Sequence, residues 1–489
     1  MTTGVESWEA GGAETVFDRP LPVWLTVLEV AVGLELLLHN SLFYGSPLGL
    51  GFTLAAIATA ALIAFSGPLT GTEPSTTTKL FAGGMVLFGL FVTFRASPVL
   101  TTLNVMTVLA LLFGAAFLYS TGRLWDLRLM DYPRAGLITA TQALAQTGDF
   151  LRIDVRNAGL MPTRGWHRIR PYVRGTAIAI GPVAVFLTLF ASADAVFATL
   201  VADVFGVDLR LNVLIWSLVL ITGFSWLLIG LLRYGTSSRG MEDLERPSGL
   251  RLGTTEATTV LALVNGLFLS FVVVQFAYLF GGADVIERTG GLTRAEYARE
   301  GFFQLVAVAG FVLALVLILD WWTRPAGSPA ARAAGWLQAS LVGLTGIVLI
   351  SALVRMRLYV AEFGLTQLRF YALALMIWIG GLLVWSLVTV LPGRRALFGS
   401  GAFLSLLVLV ATLNVVNPDA TIARVNVDRY VNGGATIDLD YLVHNLSADA
   451  APVLQSNAAV LPPLDLPDAG SSPVQDWRNY NLSRSRATR

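Results

Sequence analysis

Apolar runs of about 20 residues recur along almost the whole chain. Each run is close to the length that an α-helix needs to cross a bilayer, where every backbone polar group must be paired within its own segment. We therefore predict an all-α fold, a polytopic transmembrane helical bundle of about 11 spans. The predicted spans are residues 21–40, 47–66, 80–95, 99–120, 172–195, 211–233, 256–281, 301–322, 336–354, 369–391 and 397–415.

The composition supports a chain embedded in lipid. Hydrophobic residues make up 55% of the sequence and charged residues 13%, whereas a soluble domain carries about 25% charged residues. A water-soluble fold is therefore excluded, and the lipid bilayer is the predicted surrounding. The use of a single lysine, Lys79, among 33 basic residues is typical of a high-GC prokaryotic genome, so we expect a multi-pass protein of a prokaryotic cell membrane.

The first apolar run is not predicted to be a cleavable signal peptide. A signal peptide begins with a basic segment, but the residues before this run include Glu6, Glu9, Glu14 and Asp18 against Arg19 alone. The run is therefore expected to remain as the first span.

Arginine placement predicts the orientation, because Lys and Arg are enriched in the short loops on the cytoplasmic side. With 11 spans, one side collects most arginines: Arg123, Arg128, Arg134, Arg152, Arg156, Arg164, Arg168, Arg170, Arg233, Arg239, Arg246, Arg251, Arg324, Arg332, Arg394 and Arg395. The acidic N-terminus and two arginines on the other side, Arg355 and Arg357, argue against this orientation. The predicted regions are a cytoplasmic N-terminal segment (1–20), a four-span region (21–120), an Arg-rich cytoplasmic loop (121–171), a seven-span core (172–415) and an extracytoplasmic tail (416–489).

The tail begins at Asn417-Pro418-Asp419, where proline ends the preceding helix. Asp438 and Ser447 are predicted N-caps for short helices over 439–445 and 448–455. A Pro-, Ser- and Gly-rich stretch follows and is predicted to be disordered.

Two Gly-Leu-Thr tripeptides, at 291–293 and 364–366, each precede a span that enters from the outer side. Thr293 with Glu296 is typical of a capping box. At the second tripeptide, Leu365 and Phe370 stand at hydrophobic-staple positions. These signals predict helix starts, and a duplicated hairpin is the alternative interpretation.

Several ordered motifs carry a family resemblance. They are QFAYLFGG at 275–282, GLT at 291–293, AEYAREGFF at 295–303, SAD at 192–194, RMRLY at 355–359, FGLT at 363–366, NPD at 417–419, DYL at 440–442 and LSADA at 446–450. The set resembles the bacterial membrane family DUF4173 and its relative DUF4153, over about residues 140–455. The resemblance implies a multi-pass membrane protein without an assigned reaction, and the first four spans are expected to be a variable extension.

Ionisable and amide residues within spans are the intramembrane candidates, since such groups usually face the interior of a bundle or a cavity. Glu29 lies near the middle of the first span, and Glu35 lies about 120° further around the helix. Glu35 and His39 are four residues apart and are expected to meet. A proton relay is one interpretation, but a structural carboxylate is favoured. Asn104 and Asn265 are expected to tie helices together.

A polar group on the outer side forms the ligand-binding candidates. Arg355, Tyr359 and Glu362 share one helix face by their spacing, with Arg357 and Arg369 close in sequence. One interpretation is an anion-binding mouth, because guanidinium groups match carboxylate or phosphate. The other, which we favour, is an Arg–Glu network that locks the hairpin between two spans.

No metal, cofactor or catalytic residue is predicted. Asp438, Asp440 and His444 could ligate a metal, but Asp438 suits an N-cap better. The chain has no cysteine, which excludes disulfides and thiolate sites. It also lacks a P-loop, a dinucleotide fingerprint, an HExxH motif and a nucleophile elbow. An enzyme is therefore not favoured, and no nucleic-acid partner is expected.

Three classes of function remain. A structural, sensory or scaffolding membrane component ranks first, with a membrane-protein partner left open. A secondary transporter using Glu29 and neighbouring polar groups ranks second. A membrane enzyme acting at the outer face on an envelope or lipid-linked substrate ranks third.

Overall fold

The computed structural model describes residues 17, 20–155, 190, 209–237, 244, 253–280, 302–322, 329–390, 392–433, 436–462 and 476–487. The described residues form helices and connecting turns and contain no strand, which confirms the all-α prediction. The helices are α1 (Pro20–Tyr44), α2 (Leu50–Ala64), α3 (Gly67–Thr70), α4 (Thr76–Phe94), α5 (Pro98–Phe117), α6 (Asp131–Asp149), α7 (Leu209–Thr236), α8 (Thr254–Phe280), α9 (Phe302–Trp322), α10 (Pro329–Phe363), α11 (Gln367–Thr389), α12 (Arg395–Val416), α13 (Pro418–Gly433), α14 (Leu439–His444), α15 (Ala451–Ser456) and α16 (Leu482–Ala487).

Eight helices of the described part are long and apolar enough to cross a membrane: α1, α4, α5, α7, α8, α10, α11 and α12. The apolar segments of α2 and α9 are shorter. Ten of the 11 predicted spans therefore coincide with an apolar helix. The predicted span at 172–195, apart from residue 190, and the Gly-Leu-Thr tripeptide at 291–293 lie outside the described residues. The number of spans and their orientation stay predictions.

The Arg-rich segment expected as a connecting loop contains a regular helix, α6, which continues into a π-helical turn, Phe150–Asp154. Its small residues Ala135, Thr139 and Ala143 are buried, and α6 packs against α5 and α7. A Cβ on Gly230 of α7 would overlap the carbonyl of Ala143, so this crossing requires glycine. A hydropathy pattern does not predict α6, because the residues on its contact face are small and partly polar.

A buried ion pair fixes the end of this segment. Arg233 of α7 donates from Nε to Asp154 at 2.8 Å and from its terminal nitrogen to Gln146. The other carboxylate oxygen of Asp154 accepts from the Phe17 amide at 3.3 Å, so the residue ahead of α1 joins the same site.

The two largest hydrophobic clusters of the described residues are built by different sets of helices. One is formed by α1, α2 and α4–α7 with a contribution from α12, and the other by α8–α11. A third, smaller cluster buries Leu365, Ile422, Val427 and Leu442 between the start of α11 and the tail. We call the three tail helices α13, α14 and α15 the tail cap, and the end of the bundle that they cover the tail end.

The tail is more helical than predicted. Helix α12 ends at Asn417, which takes a left-handed conformation with φ 57°, and Pro418 then begins α13, a helix that the sequence analysis missed. Helix α14 forms as expected, and its predicted cap is confirmed, since Asp438 accepts from the Tyr441 amide at 3.0 Å. The expected cap by Ser447 is wrong, because a turn intervenes and α15 begins at Ala451.

Residues 476–487, here called the strap, fold back onto the tail ends of α1, α2 and α4. Asn481 donates to the carbonyls of Val92 and Arg95 at 2.9 and 2.8 Å, and Arg478 donates to the carbonyl of Leu36 at 2.7 Å. The last carbonyls of a helix lack partners within the helix, so the strap satisfies groups that α4 leaves open. The disorder predicted after α15 therefore does not extend through the strap.

Candidate functional site

Two buried carboxylates organise the tail end of the bundle. Asp419, at the start of α13, is 0% exposed, and Asp449, ahead of α15, is 3% exposed. Asp419 accepts from the Gln367 side-chain amide at 2.8 Å and from the Ser447 backbone amide at 3.2 Å. It thus joins the first turn of α11 to the segment between α14 and α15.

Asp449 binds the beginning of α5. Its Oδ2 accepts from the amides of Ala96 and Ser97 at 2.9 and 3.0 Å and from the Ser447 hydroxyl at 3.3 Å. A carboxylate at this position satisfies unpaired amides and interacts favourably with the positive end of the helix dipole. The tail cap is therefore anchored to a span that precedes it by more than 300 residues.

Four buried side-chain atoms in this region have no hydrogen-bonding partner among the described residues. They are Ser97 Oγ, Tyr371 OH, Asp449 Oδ1 and Arg484 Nε. The Tyr371 hydroxyl lies beside Ser97 and within electrostatic range of Asp419 and Asp449, and Arg484 of the strap interacts electrostatically with Asp449. Two acids, one guanidinium and two hydroxyls thus lie close together in a largely buried region, which we call the tail-end polar cluster.

Burial shifts two pKa values at the rim of this cluster. It is the main cause of a raised pKa for Tyr441, whose hydroxyl accepts from the Gln367 amide at 2.8 Å. It also lowers the pKa of Arg484, although Asp449 acts in the opposite direction. Among the described residues, no group of three His, Cys, Asp or Glu side chains could hold a metal ion.

The predicted ligand-binding residues near the loop between α10 and α11 make different contacts. Arg355 donates to Gln275 of α8 at 3.0 Å, whereas the Arg369 guanidinium lies 4.1 Å above the Tyr359 ring. Arg357 and Glu362 are exposed. Of the five candidates, the described contacts bring Tyr359 and Arg369 together, and Arg355 contacts the neighbouring helix instead.

The loop between α10 and α11 shows why its glycine is needed. Gly364 has φ 76°, and a Cβ there would overlap Asn426 Oδ1 of α13. Asn426 accepts from the Leu365 amide at 2.9 Å and donates to the Leu365 carbonyl at 2.7 Å. Thr366 occupies the N-cap position of α11 but makes no side-chain capping bond. The tripeptide therefore serves as a docking point for the tail cap as well as a helix start.

The intramembrane acids lie in opposite environments. Glu35 is buried, and its Oε1 is hydrogen-bonded to His39 at 2.7 Å and accepts from Ser217 of α7 at 2.6 Å. The expected meeting of Glu35 and His39 is confirmed. Glu29 is exposed on the opposite side of α1 and does not join them.

The two asparagine candidates tie helices together, as predicted. Asn104 of α5 and Asn414 of α12 exchange amide hydrogen bonds of 2.9 and 2.8 Å, and both are 0% exposed. Asn265 of α8 donates to the carbonyl of Leu337 in α10 at 2.9 Å.

A family model for a domain of unknown function, DUF4153, matches residues 82–457, which is most of the chain. The chain belongs to the DUF4153 family. No curated protein and no solved structure matches it. The DUF4153 match begins within α4, so it includes more of the N-terminal region than the expected 140–455, and it ends after α15.

The DUF4153 segment contains the residues that sequence reasoning missed. Asp419, Asp449 and Tyr371 were not among the predicted site residues, yet they lie in the tail-end polar cluster. Two of them belong to motifs that carried the resemblance, NPD at 417–419 and LSADA at 446–450, which was the available signal. Of the residues considered as metal ligands, Asp440 and His444 form an exposed pair at 3.1 Å, and Asp438 caps α14.

Proposed function

We propose that this DUF4153 protein is a scaffolding component of a prokaryotic cell membrane, with the tail cap on the outer side. The observation that carries the proposal is the convergence of separate chain segments on buried Asp419 and Asp449. Breaking a buried, hydrogen-bonded carboxylate contact is costly, so the arrangement favours one fixed surface. A surface that keeps one conformation can bind a membrane-protein partner in a fixed orientation.

The polar groups of the spans support the same proposal, because they are used to hold helices. The Asn104–Asn414 pair joins α5 to α12, and Gln275 joins α8 to α10 through Ser351 at 2.8 Å. An apolar groove of about 550 Å³ lies between α11 and α12, and neither Glu29 nor Asn265 lines it.

A transporter is the second candidate, and one contact favours it. The hydrogen-bonded series Ser217, Glu35 and His39 places a buried carboxylate between α1 and α7, and intramembrane carboxylates are frequent in proton and ion pathways. Transport by alternating access requires that buried positions open to water from at least one side.

Thiol labelling separates the two candidates, because the chain has no cysteine of its own. Val108→Cys in α5 and Leu341→Cys in α10 place thiols at buried positions, and Ala361→Cys provides an exposed positive control. We expect a water-soluble maleimide to label Cys at 361 and to leave the two buried positions unlabelled in energised membranes. Labelling of either buried position would contradict a fixed scaffold.

A second measurement addresses the partner directly. We expect purification in mild detergent, followed by native mass spectrometry, to give a membrane-protein partner at fixed stoichiometry. Asp449→Ala should release this partner, whereas Asp440→Asn, whose side chain is 88% exposed, should retain it. A partner that stays bound to Asp449→Ala, or the absence of any partner, would contradict the proposal.

A further inference from the structure

Glu29 stands on the face of α1 that points away from the bundle. The buried side of α1 includes Val23, Val27 and Ala31. At 100° per residue, Glu29 lies roughly 160° from Val27 around the helix axis, and its side chain is exposed. No described residue offers its carboxylate a hydrogen bond or an ion pair.

The depth of Glu29 makes this exposure unfavourable in a single chain. Pro20 begins α1, and Glu29 follows about nine residues later, which is about 14 Å along the axis at 1.5 Å per residue. Leu25 and Leu36, on the same face, are 45% and 55% exposed, as expected for contact with lipid. Acidic side chains at such depth are rare and almost always pair with another polar group, and acyl chains offer none.

We propose that this face of α1, formed by Leu25, Glu29, Gly33 and Leu36, is the contact between two copies of the chain. In a twofold interface the same surface patch meets itself. A protonated carboxyl group is both donor and acceptor, so two Glu29 side chains are complementary to each other. This pairing supplies each carboxyl group with the polar partner that the described residues of one chain do not offer.

Gly33 supplies the space for close approach. It lies one helical turn after Glu29 on the same face, and a Cβ at Gly33 would meet nothing within 4 Å. Small residues at helix interfaces in membranes let backbones approach closely, and polar side chains then hydrogen-bond across the contact. Leu25 and Leu36 flank the glycine and can pack against their counterparts.

Cysteine cross-linking in native membranes tests the contact. Leu25→Cys and Leu36→Cys place single thiols on the proposed face of an otherwise cysteine-free chain. Leu267→Cys in α8 and Val408→Cys in α12 are matched controls, because these leucine and valine side chains are 69% and 64% exposed on other helices. We expect mild oxidation to give disulfide-linked dimers of the first two variants and monomers of the controls.

The role of the carboxyl group is measured separately by energy transfer between labelled copies in lipid. Glu29→Leu should weaken self-association about five- to thirtyfold, the range expected for loss of an interhelical hydrogen bond. Glu29→Gln keeps a donor and an acceptor and should retain association to within about twofold. Both variants change a lipid-facing position, so the fold should be kept.

Three results would overturn the proposal. One is the recovery of monomers for both face variants, and another is equal cross-linking by the controls. The third is cross-linking of position 25 or 36 to a different protein, which would assign the face to another partner.

Discussion

At the scale of single residues, carboxylates and amides in this protein differ mainly in what surrounds them. Asp419 and Asp449 are hydrogen-bonded by backbone amides and by side chains in a buried region. Glu29 is exposed and has no hydrogen-bonding or ionic partner among the described residues. Sequence spacing predicted the Glu35–His39 contact, because residues four apart on a helix are neighbours. It could not predict Asn104–Asn414, since that pair depends on how distant helices pack.

A glycine substitution tests the docking of the tail cap at the Gly-Leu-Thr loop. Gly364→Ala should lower the free energy of unfolding by about 2–3 kcal/mol, because it combines a left-handed conformation with an overlap on Asn426. Gly393 has a similar φ of 80° but open space around it. Gly393→Ala should therefore cost only about 1 kcal/mol.

Steric-trap unfolding or thermal unfolding in detergent compares the two variants. Equal losses for Gly364→Ala and Gly393→Ala would mean that the contact with Asn426 contributes nothing beyond backbone strain.

At the scale of helices, the length of an apolar run predicted the long apolar helices, whereas the more polar helices were not predicted. Ten predicted spans correspond to apolar helices because each must satisfy its own backbone in hydrocarbon. Helix α6 was not predicted, because it packs through small residues rather than an apolar face. Helix α13 was not predicted, because a proline indicates the end of a preceding helix, whereas Pro418 also begins the next one. Proline is favoured at the first position of a helix.

The contact between α6 and α7 gives a prediction at this scale. Gly230→Ala places a methyl group against the Ala143 carbonyl and should separate the two helices, at a cost of about 2–3 kcal/mol in unfolding free energy. Gly223 lies on the same helix, and a Cβ there would meet nothing within 4 Å.

Gly223→Ala should be neutral or slightly stabilising, because alanine favours a helix over glycine. Unfolding in detergent would measure both variants, and a neutral Gly230→Ala would show that α6 does not pack on α7 as described.

At the scale of the whole molecule, the sequence predicted the class of fold but not how the tail packs against the bundle. The tail was expected to be ordered beyond the last span, and the motifs within it were recognised. Their convergence with α11 and α5 depends on contacts between residues 52 and more than 350 positions apart. No periodicity or spacing reports such contacts.

Acid should release the strap. Hydrogen bonds from Arg478 lower the pKa of Asp476 to about 2, below its ordinary value of 3.8. A carboxyl group with a lowered pKa stabilises the folded state above its ordinary pKa, and this contribution is lost as the pH falls from about 4 to about 2.

Labelling of Ser483→Cys by a pyridyl disulfide, a reagent that reacts with thiols in acid, should therefore increase as the pH falls through that window. The double variant Asp476→Asn/Ser483→Cys should label more readily at neutral pH and respond less to acid. Equal pH responses of the Ser483→Cys variant and this double variant would contradict the role of Asp476.

The strap also sets an order of events during synthesis. Arg478 binds the carbonyl of Leu36 across a separation of 442 residues, and a ribosome adding about 5–20 residues per second needs roughly 20–90 s to cover that distance. A Cβ on Gly49 would overlap the backbone of the strap at Asn479 and Tyr480, so the start of α2 fits a segment that is synthesised much later. The first helices to enter the membrane are therefore among the last to acquire all of their packing contacts.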